Sequence, residues 1–319
     1  MKRFIIHVLI VFGFICLVFL ALDRVEQKLI LNIPSHGGYK IHRMINQISP
    51  KEIPIFGSSR ALCHFAPSLL SSHCFNYGMD GTGVSVLLFF LKKEIEKKKE
   101  GPVIINIDPW GNRRDGAIGN PKSYILSYHD PDVQILLPTR PPIRQRIPGV
   151  RFYGFSENLC PNIESFLNRQ EEGEWQKDSG ATLIRRRCVS EDDYLFGQNA
   201  LYSAFQIDPF LEKFISMLES LPSSRVVLIV VSPLAKSYYT SFQNQEEFNT
   251  FLSQLSSIKN VYVFNFLDDS LFYPREYWAD WAHLNLAGVR FLTARLSEQI
   301  QAIPELKKWF PETADDLPR

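Results

Sequence analysis

No charge of one sign dominates this chain: 35 Lys and Arg stand against 34 Asp and Glu over 319 residues, a formal net charge of +1. Nucleic-acid binding needs a strongly basic face or a recognisable module, so no nucleic-acid partner is expected. Cysteine is scarce, with five in all, and no CxxC or Cys/His cluster has the spacing of a zinc site. His64, His73 and His129 are equally without metal spacing. The sequence therefore calls for no metal and no cofactor. No internal repeat is evident either. What is present is ordinary globular composition, 45% hydrophobic and 22% charged, with room for one large domain or two small ones.

The long hydrophobic run is at the start. Residues 4–22 form about nineteen mostly apolar positions broken only by His7, long enough to cross a bilayer. Lys2 and Arg3 precede it, and positive charge on that short flank keeps the N-terminus inside and the rest of the chain outside. A cleaved signal peptide is the alternative, with Ala21 as a small residue, although the run is longer than a usual signal core. In either case the remainder lies in an oxidising compartment. There Cys63, Cys74, Cys160 and Cys188 form two disulfides, with Cys63–Cys74 and Cys160–Cys188 the simplest of three pairings, or stay as buried free thiols.

Beyond the anchor at 1–22, residues 23–50 are weakly patterned and read as a stalk, 51–305 as the main domain, and 306–319 as a tail. Short apolar strands are expected at 53–56, 74–77, 102–107, 225–231 and 261–266. Helices are expected at 61–70, 83–99, 208–220, 245–257 and 285–301, the last with Val289, Leu292, Leu296 and Ile300 as its buried stripe. This alternation predicts an α/β fold, a three-layer sandwich around a central parallel sheet, with one N-terminal transmembrane helix before it. Between 113 and 207 the alternation lapses for roughly ninety residues, too many for a plain loop, which predicts an inserted region or a lid. Its basic runs at 138–146 and 185–187 read as solvated loop arginines or as a groove for an anionic polymer. The lysines at 92–99 suit a helix C-terminus.

Two short segments carry the chemistry. Gly57-Ser58-Ser59-Arg60 follows the first strand, and Asp280-Trp281-Ala282-His283-Leu284-Asn285 precedes the last helix. A serine hydroxyl is a poor nucleophile until a base takes its proton, and the base works best when a carboxylate fixes its tautomer. Ser59, His283 and Asp280 fill those roles, with Ser58 as the other candidate nucleophile. The plain alternatives are that Ser58 and Ser59 cap a helix, Asp280 caps a turn and His283 packs against Trp281 or Trp278. The Gly-x-Ser-x-Gly elbow of α/β-hydrolases is absent, and Asp and His stand closer together than in those enzymes.

These residues resemble the SGNH (GDSL-like) hydrolase superfamily, whose first block is Gly-Asp-Ser and whose last is Asp-x-x-His before the final helix. Gly57-Ser58-Ser59 matches with Ser in place of Asp, and Asp280 to His283 matches in full, followed by Leu284, Asn285 and Gly288. The Gly-Ser-Ser form beside an N-terminal anchor is most similar to the exported, membrane-tethered branch that includes the D-alanyl transfer protein of teichoic-acid modification and polysaccharide O-acetylation proteins. The resemblance implies Ser59, Gly78 and Asn112 as oxyanion donors, although the Gly-x-Asn-Asp block itself is missing and Asp108-Pro109-Trp110 stands in its place. Arg60 either contacts an acyl or anionic group of the substrate or forms a salt bridge under the turn, and Trp110 with Trp281 either forms an apolar or sugar-stacking wall at the substrate or packs in the core. The implied activity is an extracytoplasmic serine esterase or O-acyltransferase, working on acylated polysaccharide or another envelope acyl ester and supplied by a membrane-bound O-acyltransferase. The alternative is a non-catalytic binding or scaffold protein of an envelope glycan-modification assembly.

Overall fold

The N-terminal apolar run folds into a helix that the domain does not cover. The computed structural model describes residues 1–109, 117–137, 171–172, 175–187, 205, 207, 209–240 and 242–310. Helix α1 (Lys2–Ile30) leaves its apolar side chains exposed along most of its 29 residues and is long and apolar enough to cross a membrane. It runs past the apolar stretch without a break. Burial begins only near its end, at Asp23, Glu26 and Ile30, and Ile30 packs against Ile125 and Leu126.

Residues 37–46, within the expected stalk, form α2 (Gly37–Asn46) instead of an irregular connection. His36 caps it, its Nδ1 accepting the Gly38 N–H at 3.0 Å. Ile41 and Met44 enter the main apolar core. Lys40 is fully buried, and its Nζ donates to the Gly78 carbonyl at 2.5 Å. Burial pulls the Lys40 ammonium down to about 7. Arg43 pairs with Glu52, whose carboxylate also accepts the Tyr77 hydroxyl at 2.8 Å.

From there the chain alternates: β1 (Ile53–Phe56), α3 (Ser59–His64), α4 (Pro67–Leu70), β2 (Cys74–Asn76), α5 (Val84–Glu96) and β3 (Gly101–Asn106). The helix expected over 61–70 is two helices. A residue before proline is driven from the helical region, and Ala66, before Pro67, sits at φ −97°, ψ 95°. Further on come α6 (Pro131–Leu136), the short strands β4 (Glu171–Glu172), β5 (Trp175–Asp178) and β6 (Ala181–Ile184), then β7 (Arg225–Val231) and β8 (Val261–Asn265). Helices Pro209–Glu219, Gln245–Ser257 and Leu286–Gln301 complete the pattern.

Five strands form one sheet in the order β2-β1-β3-β7-β8, all parallel. The central strands are buried on both faces, which is why they read as continuous apolar runs. Alternation sorts them into two layers. Val103, Ile105, Val227 and Ile229 join a cluster with α2, α5 and the helices at Pro209–Glu219 and Gln245–Ser257. Ile104, Leu228 and Val230 join a second cluster with Val289, Leu292, Leu296 and Ile300 of the last helix. The α/β architecture with helices on both faces is the one that the sequence predicts.

Strands β4, β5 and β6 make a separate antiparallel sheet inside the 113–207 stretch. Ser179 and Gly180 turn between β5 and β6 at φ 40° and 87°, the positive angles of a tight two-residue hairpin. A Cβ on Gly180 would lie 2.4 Å from the Asn76 carbonyl oxygen. β6 is thereby laid against α3, and Ile184 packs with Cys63 and Ala279. Cys63 and Cys74 are separate buried thiols, so the Cys63–Cys74 pairing is not formed. Burial pushes the Cys63 thiol up to about 12. Cys160 and Cys188, Trp110 and Asn112, and the basic run at 138–146 lie outside the described residues.

Candidate active site

The turn after β1 depends on glycine. Gly57 has φ +145°, and a Cβ there would lie 2.8 Å from the Ala61 Cβ and 2.9 Å from the Asn106 carbonyl oxygen. This close approach brings α3 down over the C-terminal ends of β1 and β3, the edge where open α/β sheets hold their ligands. Ser58 caps α3, its Oγ accepting the Arg60 N–H at 3.2 Å while donating to the Asp108 carboxylate. Ser59, the next residue, lines the same cavity as Ser58 but has a different partner.

The opposite wall is the turn before the last helix. Asp280 Oδ1 accepts the N–H groups of Ala282 and His283, both at 2.8 Å, so the carboxylate shapes the turn that carries the imidazole. The same carboxylate lies 3.0 and 3.1 Å from His283 Nδ1. His283 Nε2 is 3.1 Å from Ser59 Oγ. Burial alone would raise the Asp280 carboxyl, but the hydrogen bond and charge of His283 and the two turn N–H groups outweigh it and hold the group below its ordinary value. Asn285 fastens the turn from the other side. Its Oδ1 caps the last helix at the Ala287 and Gly288 N–H groups, and its Nδ2 donates to the carbonyls of Glu276 and Trp278. A Cβ on Gly288 would strike the Tyr277 carbonyl oxygen at 2.3 Å, which accounts for glycine at that position.

The structure thus brings Ser59, His283 and Asp280 into one hydrogen-bonded chain, with Ser58 turned towards Asp108. Trp278 is buried in the second core cluster, its Nε1 donating to the Phe272 carbonyl at 2.7 Å.

Of two candidate contacts, Arg60 takes the salt-bridge reading expected of it and Gly78 is placed differently from expectation. Arg60, a candidate substrate ligand, is 1% exposed, and its guanidinium lies 3.2 Å from Asp108 and donates to the Ser232 and Pro233 carbonyls at 2.8 and 2.6 Å. A helix starting at Ser59 aims position 60 into the sheet edge, where carbonyls at the end of β7 await a donor. Gly78, a candidate oxyanion donor, lies beneath α3. Its N–H donates to Asn76 Oδ1 at 2.8 Å, and a Cβ would lie 2.5 Å from the Leu62 nitrogen. That close approach, and not a free donor, is what glycine supplies there.

Three further residues hold the site and were not assigned a role by sequence. Asp108 collects Ser58, Arg60 and Asn106. Asn106 in turn accepts the Ser232 hydroxyl at 2.5 Å. His64 is fully buried and accepts the Leu284 N–H on Nε2 at 3.1 Å. Burial, with Arg60 and His283 nearby, keeps His64 well below its ordinary value and therefore neutral, as that acceptor role requires. The available signal was spacing: Arg60 and His64 are four apart and share one face of α3.

Beside Ser59 opens a cavity of about 240 Å³, lined by Ser58, Ser59, Asp108 and His283 on its polar side and by Leu87, Phe205, Leu211, Phe214 and Trp281 among its apolar residues.

No protein-family model matches the chain, and no curated protein matches it. Among solved structures, it is similar to the lipase/acylhydrolase from Enterococcus faecalis, at 13% identity over 79% of this chain and 95% of that one, with a TM-score of 0.41. It is also similar to a protein described as a platelet activating factor from Streptococcus pneumonia, at 12% identity over 88% and 97% of the two chains, with a TM-score of 0.38.

Proposed function

We propose that the protein is a serine acyl-ester hydrolase or O-acyltransferase of the SGNH type, anchored by α1 and acting outside the cytoplasmic membrane on acyl groups of envelope polysaccharide. The observation that carries this reading is the linear relay from Asp280 through both imidazole nitrogens of His283 to Ser59 Oγ, at 3.0 and 3.1 Å. In the first half-reaction His283 Nε2 takes the hydroxyl proton while Ser59 Oγ bonds to the ester carbonyl carbon. The tetrahedral centre then collapses, the bond to the departing alcohol breaks, and His283 returns its proton to that alkoxide. In the second half-reaction water or a sugar hydroxyl gives its proton to His283 and attacks the acyl-serine, releasing a carboxylic acid or a new ester. Asp280 holds the imidazole tautomer and balances its transient positive charge. The Gly78 N–H is engaged by Asn76, so the oxyanion rests on the Ser59 N–H and donors other than Gly78.

That engagement also favours a second reading, a non-catalytic scaffold that retains the fold. A fluorophosphonate probe separates the two. Labelling of the native protein but not of Ser59→Ala supports the acyl-transfer reading, as does hydrolysis of an aryl acetate, and failure of both favours the scaffold.

A further inference from the structure

Lys40 is 0% exposed, and among the described residues no carboxylate pairs with it. Lysine is almost never fully buried without a partner, because taking an ammonium out of water is costly. Its inward-facing neighbours on α2, Ile41 and Met44, are apolar, and an apolar residue at 40 would fill the same space without that cost. The groups that bear on its charge do not compensate it. Lys177 on β5 repels it, and burial keeps the Cys63 thiol on α3 in its neutral form. What Lys40 has is one backbone acceptor, the Gly78 carbonyl, at 2.5 Å.

That carbonyl belongs to the segment that grips the nucleophile turn on both sides of Ser59. Ahead of the serine, the Met79 N–H donates to the Gly57 carbonyl at 3.1 Å. Behind it, Asn76 Nδ2 donates to the Ala61 carbonyl at 2.7 Å, while Asn76 Oδ1 takes the Gly78 N–H. Gly78 itself packs directly on Ala61 and Leu62. The same segment runs on into Asp80, Gly81, Thr82 and Gly83 at the cavity. Helix α2 backs it at two points: Lys40 at Gly78, and Gly37, where a Cβ would lie 3.0 Å from Met79 Cε. We propose that Lys40 is a positioning residue of the acyl-transfer site, its ammonium holding the Gly78 carbonyl so that residues 76–79 keep Ser59 in register with His283. The proposal rests on the acyl-transfer reading above and adds to it a residue from the helix that directly follows the membrane anchor.

The test uses the full chain in lipid nanodiscs, a fluorophosphonate probe at increasing concentration, and Lys40→Met, which keeps an unbranched apolar stem but has no donor. The Ser59 oxygen bonds to phosphorus as the phosphorus–fluorine bond breaks, fluoride leaves and His283 accepts the proton. Mass spectrometry follows the labelled fraction with time. The rate at saturating probe is expected to fall about tenfold to a hundredfold in the variant, the effect of a misplacement of about 1 Å on a reacting pair. The half-saturating probe concentration and the final labelled fraction are expected to stay at their native values. A lysine that served only the fold would lower the final fraction, which counts folded molecules, and leave their saturating rate within about twofold of native. That result overturns the proposal and leaves the serine chemistry standing. If Lys40→Met does not fold, Lys40→Gln, whose amide N–H stops one bond short of Gly78, is read in the same way. Failure of both variants to fold also overturns the proposal, because Lys40 then serves the fold and not the position of Ser59. No labelling of the native protein overturns the acyl-transfer reading, and the proposal with it.

Discussion

The backbone N–H of Leu284 donates to the ring of His64 at 3.1 Å, tying the residue after the His283 imidazole to the end of the helix that begins with Ser59. The two halves of the site are therefore braced against each other by a buried neutral histidine as well as by the Ser59–His283 contact. His64→Phe keeps the volume but leaves the Leu284 N–H without its acceptor in a dry place. The expected result is a drop in kcat of about tenfold to a hundredfold with little change in KM, because a misplacement of about 1 Å has that effect on a reacting pair. Steady-state kinetics on an aryl ester, with the pH profile of kcat compared between native and variant, separates this from a simple loss of folded protein.

Ser59→Ala and His283→Ala are each expected to remove activity by at least about a thousandfold, and Asp280→Asn by about ten thousandfold through the wrong imidazole tautomer. Ser58→Ala should act differently. Ser58 caps α3 and bonds to Asp108, so its loss should lower stability by about 1 kcal/mol and leave measurable turnover. Thermal melts and aryl-ester kinetics on the same four variants give the comparison.

Breaking the Arg60–Asp108 pair should be costly, since a charge left alone in the interior destabilises by about 3–5 kcal/mol. Arg60→Met is expected to lower the denaturation midpoint sharply. Arg60→Lys should not restore it, because one ammonium cannot reach Asp108, Ser232 and Pro233 together as the guanidinium fork does. Chemical denaturation of the two variants reads this directly.

His36 makes the fold sensitive to acid. Burial first, and Lys40 second, lower its folded value from 6.5 to about 4. Between those values the unfolded chain binds the extra proton, so stability falls as pH drops from about 6.5 to about 4 and is flat in this respect above 6.5. Protonation also removes the Nδ1 lone pair that caps α2. His36→Ser, which keeps a cap without a titrating group, should reduce the slope of the stability curve over that window in melts recorded from pH 4 to 8, the slope that remains including that of the buried neutral His64.

Gly180→Ala should lift the β5–β6 hairpin away from Asn76 and uncover α3. The readout is Cys63, which the hairpin covers through Ile184. Alkylation of Cys63 is expected to accelerate at least tenfold in the variant, with Cys63→Ser as the background control.

Much of the sheet was legible because its strands are short β-branched runs buried on both sides, and the last helix because its stripe repeats at helical spacing. The Asp280–His283 turn was legible for a local reason: a carboxylate three residues before an imidazole bonds both the turn and the ring. Helix α2 was not, since its inward face includes Lys40 and Arg43, whose partners Gly78 and Glu52 lie elsewhere in the chain. The hairpin at Ser179-Gly180 was hidden because β5 is largely polar and β6, only four residues long, buries its apolar positions against α3. The two readings of Arg60 could not be separated because nothing in a sequence shows that carbonyls at the end of β7 need a donor, and Gly78 was misplaced because nothing shows that the Asn76 side chain folds back onto the next turn.

The Ser59 hydroxyl and the His283 ring are 224 positions apart along the polypeptide. A nascent chain emerging from the ribosome displays its serine long before any base exists to activate it. On the acyl-transfer reading, activation of the serine waits until residue 283 has been made and the helix Leu286–Gln301 has docked, so a chain cut between the two segments lacks that base.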